Sequence, residues 1–268
     1  MDFIDCNLSY GPDTMKGELP GCPDIGGLVS QLDRAGIAGG LVYYAMNEPI
    51  QGNAVIAHDM AKSTTKDGFS GNSVIANDIA GSPRLRGVWS LLPSCTGEVA
   101  PPCKLPAAMK QNNIAALAFN PKANRFLPKP SVIGDYLEVA QEHAIPVLLN
   151  TGRGLELEEA DSIMRDFPKL TAILTFNNCW PSDRLLRPFI EAYPNLCLDT
   201  AYMFTDSYLP ELVKKYSAKR ILFGSAYPVS YPGANMMVIK HAEISDEDKR
   251  LIAGENLLRI IGEARYDE

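Results

Sequence analysis

Histidine is scarce in this chain: His58, His143 and His241 are the only three among 268 residues. Imidazole-based metal sites and acid–base relays therefore have little to draw on. The six cysteines (Cys6, Cys22, Cys95, Cys103, Cys179 and Cys197) form no C-x-x-C pair, which removes the usual zinc-ribbon and thiol–disulfide motifs. Cys6 and Cys197 sit in or beside apolar runs, the setting of reduced, buried thiols, and point to the cytoplasm. Cys95 and Cys103 are near enough in sequence for a bridge, but free thiols are expected there too. No apolar run reaches the roughly 18 residues of a membrane helix. Met1-Asp2-Phe3-Ile4-Asp5 lacks the basic start of a signal peptide. Net charge is −7 without a long run of either sign, so neither nucleic acid nor a membrane is an expected partner. No G-x-G-x-x-G turn, internal repeat or linker interrupts residues 1–268, which read as one domain.

What is present is a series of eight short apolar runs separated by helix-like segments. The runs are 3–6, 40–44, 85–92, 114–119, 145–150, 171–176, 196–200 and 221–224. Helices are expected between them, at about 25–35, 53–62, 72–80, 105–111, 131–143, 155–166, 181–192 and 206–216, with a long one after Ser245. Asp24 is a candidate N-cap, and Gly36 stops the helix that follows. Alternating buried strands and helices predict an α/β fold, a (β/α)8 TIM barrel, in which functional groups gather where the strands end. A doubly wound open sheet is the runner-up.

The strand ends carry a family likeness. Phe3-Ile4-Asp5-Cys6-Asn7-Leu8-Ser9-Tyr10-Gly11 resembles the opening strand of the amidohydrolase-related (amidohydrolase 2) metal-dependent-hydrolase barrels, whose pattern is Asp-x-His-x-His-x-Gly. Ile145 to Gly152 is similar to that family's fifth strand, which ordinarily ends His-Thr-Gly. Arg220 to Pro228 is similar to its eighth, ordinarily Gly-Ser-Asp-Tyr-Pro. The likeness implies a hydrolase or a nonoxidative decarboxylase. It also implies a divalent cation held by four histidines and the eighth-strand aspartate. Here the matching positions are Asn7, Ser9, Asn150, Phe176 or Asn177 (the register is open by one) and Ala226. Neutral amides, a hydroxyl and a methyl make a poor set of zinc ligands. No metal or other cofactor is expected.

The barrel mouth is then expected to bind a small polar molecule: a carboxylate, a lactone or an amide. Asn7, Ser9, Tyr44, Asn120, Asn150, Arg153, Asn177, Ser225 and Tyr227 are its candidate binding residues. Arg153 offers a bidentate fork for a carboxylate. Asp199 with Tyr202 or Tyr10 is the candidate metal-free acid–base group. Cys179, ahead of a helix, is a weaker candidate nucleophile. Ser9 and Ser225 lack a histidine base. A catalytically inactive barrel, kept for ligand binding or for assembly with itself or a relative, is the alternative, and a homo-oligomer is compatible with either.

Overall fold

The structure is a computed structural model. It describes residues 1–11, 21–45, 71–97, 99–151, 154–175, 179–205 and 207–266, with the backbone alone at 123 and 179–182. The strands are β1 (Phe3–Tyr10), β2 (Ile37–Tyr44), β3 (Leu85–Ser90), β4 (Ile114–Ala118), β5 (Val147–Asn150), β6 (Ala172–Thr175), β7 (Leu196–Asp199) and β8 (Ile221–Leu222). All pair in parallel and in chain order. The seam between β8 and β1 is joined by Cys6 N–H to Phe223 O and Ser9 N–H to Tyr227 O, both at 2.9 Å. That closure excludes the open sheet and leaves a (β/α)8 barrel.

Helices α1 (Ile25–Ala35), α2 (Gly71–Asp78), α3 (Leu105–Gln111), α4 (Pro121–Asn124), α5 (Pro130–Glu142), α6 (Leu157–Asp166), α7 (Cys179–Ala192), α8 (Tyr208–Tyr216) and α9 (Pro232–His241) stand between or after the strands. The chain ends in α10 (Asp246–Arg250), one π turn (Leu251–Glu255) and α11 (Asn256–Glu263). Asp24 caps α1 by accepting from Gly27 N–H at 2.8 Å, and Gly36 ends it at φ 72°. Ser245 caps α10 by accepting from Asp248 N–H. These caps are the ones expected from the sequence. The helix expected over 53–62 lies outside the described residues. β8 is shorter than the 221–224 run, because Phe223 N–H bonds to Ile252 O in the π turn instead of continuing the ladder.

The barrel interior is built in layers. Cys6, Leu41, Val88, Ala116, Leu148, Ile173, Cys197 and Leu222, from the eight strands in turn, belong with Ala115 to a single buried apolar cluster. Leu257 and Ile260 of α11 join it from below and close that end. A second, larger cluster lies between strands and helices and takes the alternate residues, Phe3, Leu8, Val42, Leu117, Leu149, Leu174 and Leu198 among them. Side chains alternate across a strand with period two, so two-sided burial makes each strand apolar throughout. Cys6 and Cys197 thus fill the core, as expected. Burial pushes the Cys197 thiol up to about 11 and raises Cys6 as well, which makes both poor nucleophiles. Cys95 and Cys103 are exposed and free.

Candidate ligand site at the barrel mouth

One step toward the strand C-termini, the same parity selects the next inward residues. Two positions beyond Leu41, Val88, Ala116, Leu148, Ile173, Cys197 and Leu222 stand Tyr43, Ser90, Ala118, Asn150, Thr175, Asp199 and Gly224. On β1 the pairing register shifts between Asp5 and Leu8, and the irregularity brings Asn7 into this layer. A polar ring therefore rests on an apolar floor. Asn7, Tyr43, Ser90, Ala118, Asn150 and Thr175 line a cavity of about 40 Å³, with Leu148 beneath and Phe119 and Asn120 at its side.

Asn7 and Asp199 are the centre of the ring. The Asn7 Nδ2 group donates to Asp199 Oδ2 at 2.8 Å, and the two residues are 2 % and 0 % exposed. Gly224 makes room for that carboxyl group: a Cβ there would stand 2.9 Å from Asp199 Oδ2. Asn150 Oδ1 is buried with no hydrogen-bond partner among the described residues. Such an acceptor costs about 1–3 kcal/mol unless something donates to it.

Asp5 locks β8 to β1. Its Oδ1 accepts from Asn7 N–H at 2.9 Å and from Ser225 N–H at 3.1 Å. Burial pushes its carboxyl up to about 6, although those hydrogen bonds pull the other way. The folded state thus holds the Asp5 proton more tightly than the unfolded chain. Its contribution to stability is complete below the ordinary carboxylate pKa and is lost as pH rises from about 4 to about 6. The loss amounts to about 3 kcal/mol. Urea unfolding across that window should show this decline in the wild type and a flatter profile in Asp5→Asn.

The remaining sequence candidates divide. Asn120 lines the cavity, and Gly154 packs against its side chain. Ser9 Oγ donates to Tyr227 O at 3.1 Å, and Ser225 Oγ accepts from Tyr227 N–H at 3.1 Å. Both hydroxyls therefore brace the β8 end and do not line the cavity. Tyr227 is pushed up to about 12 by burial, with the Cys22 thiol against its hydroxyl. Tyr202 follows β7 at φ 66° and meets the Phe204 ring edge-on at 6.4 Å. Tyr10 is not brought to Asp199: its hydroxyl donates to Asp78 Oδ2 at 2.6 Å on the helix side. Tyr44 packs edge-on against Tyr10, ring centroids 5.3 Å apart. Both tyrosines fall on outward positions of their strands, and Tyr43 lines the cavity in place of Tyr44. Arg153, Phe176, Asn177 and Asn178 lie outside the described residues, as does the Cys179 side chain. His143 Nδ1–H donates to Arg265 O at 2.9 Å at the opposite end of the barrel, and His241 ends α9. His58 is outside the described residues. Sequence reading missed Tyr43, Ser90 and Thr175, although counting two residues on from each floor position would have found them.

The family model described as Amidohydrolase matches residues 107–262, more than half of the chain. The chain belongs to the amidohydrolase family. A search of curated protein sequences finds no significant match. Among solved structures, 5-carboxyvanillate decarboxylase from Sphingomonas paucimobilis is 13 % identical with a TM-score of 0.66, covering 97 % of this chain and 99 % of its own. A dihydroxybenzoic acid decarboxylase from Polaromonas, with bound manganese and the inhibitor 2-nitroresorcinol, is 14 % identical with a TM-score of 0.69, covering 97 % of each chain. A probable 2-pyrone-4,6-dicarboxylic acid hydrolase from Acinetobacter baumannii, with citric acid bound, is 14 % identical with a TM-score of 0.66, covering 98 % of this chain and 100 % of its own. These likenesses confirm the barrel. Of the positions that the sequence likeness sets against metal ligands, Asn7 donates to Asp199, Ser9 donates to the Tyr227 carbonyl, and Asn150 and Ala226 bring an amide and a methyl. No helix among the described residues is long and apolar enough to cross a membrane.

Proposed function

We propose that this amidohydrolase-family barrel binds a small polar molecule in the ring above its apolar floor, without a divalent metal, and that hydrolysis is not its role. The observation that carries the reading is the Asn7–Asp199 hydrogen bond. A family metal centre needs its first-strand side chains turned toward an ion as lone-pair donors. Here Asn7 offers N–H to a carboxyl group, Ser9 offers O–H to Tyr227 O, and Ala226 offers nothing. A catalytic cation wants about three protein ligands, and hard cations want carboxylates among them. The described donor set does not fit that requirement.

The metal-free acid–base reading, with Asp199 moving a proton, is less well supported. Asp199 is fully buried and Asn7, not Asp199, lines the cavity. Tyr10 is committed to Asp78. A preformed concave site with a few convergent polar groups suits recognition.

Thermal melting tests the reading. A resident ion at a hundred times its Kd would stabilise by about 2.7 kcal/mol, which is several degrees for a chain of this size. The expected result is no shift in Tm with EDTA, manganese or zinc. A fall in Tm with EDTA that manganese or zinc reverses would sink the proposal.

A further inference from the structure

The end of the barrel away from the mouth carries an open groove of about 910 Å³. α7 brings Glu191 to it, α8 brings Lys214 and Lys215, the turn before β8 brings Ser217 and Arg220, and α10 adds Asp248. Its charges are not balanced. Glu191 already accepts from Lys215 Nζ at 2.6 Å and from the Tyr216 hydroxyl at 2.8 Å. Asp248 Oδ2 accepts from Ser245 Oγ at 2.7 Å. Lys214 enters no hydrogen bond or ion pair among the described residues. Arg220 has five N–H donors. Its Nε donates to Leu196 O at 3.0 Å, and its Nη2 donates to Ile190 O at 2.8 Å and Tyr193 O at 2.7 Å. Both N–H groups of Nη1 are left over. Among the described residues no carboxylate pairs with this half-buried guanidinium, and burial pulls it below the ordinary arginine range. Ser217 Oγ accepts from Lys219 N–H at 3.3 Å and keeps its own O–H to donate.

We propose that this groove binds the phosphate group of a small molecule, held by Arg220 Nη1, Lys214 and the Ser217 hydroxyl. The surplus is in donors and positive charge, which an oxyanion matches. Phosphate fits better than a carboxylate. A carboxylate pairs best with two parallel N–H groups from two nitrogens of one guanidinium, and Nε and Nη2 of Arg220 are both committed to backbone carbonyls. Three phosphate oxygens and a charge near −2 suit donors that come singly from separate residues. The groove also lies within the range of about 300–1,000 Å³ typical of small-molecule sites, so it has room for the body of such a ligand. The chain as a whole carries a charge of −7, and its general field repels anions; binding there calls for a local site. This second site is independent of the mouth.

The test titrates the whole chain with inorganic phosphate and with acetate, read by the backbone amide resonances of residues 217–220 in ¹⁵N-labelled protein. Phosphate should shift them and bind at least about fivefold more tightly than acetate. Arg220 is left in place, because it also holds three backbone carbonyls. Lys214→Gln, on the exposed side of α8, should weaken phosphate by about fivefold. Lys129→Gln removes the same charge ahead of α5 and should change nothing. Equal weakening by the two variants would show general charge attraction and overturn the proposal. So would acetate binding as tightly as phosphate, or no shift at about 50 mM phosphate, where a site of millimolar Kd is nearly full.

Discussion

Replacing Asn7 by leucine should destabilise the fold by about 3 kcal/mol, far more than the change in side-chain volume would. The reason is what remains behind. Asp199 is fully buried at the end of β7, and the Asn7 amide is its 2.8 Å donor from β1. Removing one partner of a buried polar pair takes a hydrogen bond from the other where water cannot replace it, which costs about 1–3 kcal/mol and more for an ionised group. Removing both should be much milder. Asn7→Leu/Asp199→Leu is therefore expected to be less destabilised than the sum of its single variants, with a coupling of about 2 kcal/mol in a double-mutant cycle. Urea midpoints of the four proteins measure it. A single-variant cost near zero, or additive costs, would mean that the pair is not a joint between the strands.

Phe223→Ala should cost about 4 kcal/mol. The ring is fully buried and meets Phe3 edge-on at 4.9 Å, across the β8–β1 seam. Its backbone holds the same seam, since its carbonyl accepts from Cys6 N–H and its N–H donates to Ile252 O. Truncation opens a cavity where the barrel is joined by few hydrogen bonds, and Ser225 to Tyr227 follow directly. The variant should therefore lose stability and shift the side-chain amide resonance of Asn7 in ¹⁵N-labelled protein. Phe223→Leu, which fills most of the space, should leave that resonance in place at a smaller cost. Equal behaviour of the two variants would show that packing at the seam does not position the site.

The barrel was legible because its strands are apolar on both faces and are separated by helices with readable stops, such as Asp24 and Gly36 around α1. The polar ring was only half legible. Asn150 and Asp199 emerged because they end strands. Asn7 emerged through the family likeness alone, since the register shift in β1 breaks the parity that would otherwise place it. Tyr10 and Tyr44 were drawn into the mouth by their chemistry, yet each falls on the outward phase of its strand, where they pack on each other. Tyr43, Ser90 and Thr175 were hidden by ordinary residue types and revealed by phase. The shortness of β8 was not readable, because a hydrogen bond from the distant π turn sets it.

We propose that the neutral side chains of Asn7, Ser9, Asn150 and Ala226 stand at the positions that the family likeness assigns to metal ligands. Elemental analysis of protein purified without chelator, from cells supplied with manganese and zinc, tests it most directly. The expected result is far less than one equivalent of any transition metal, unchanged in Ala226→Gly. One equivalent of manganese or zinc per chain, lost when Asn7 or Asn150 is replaced by leucine, would contradict it.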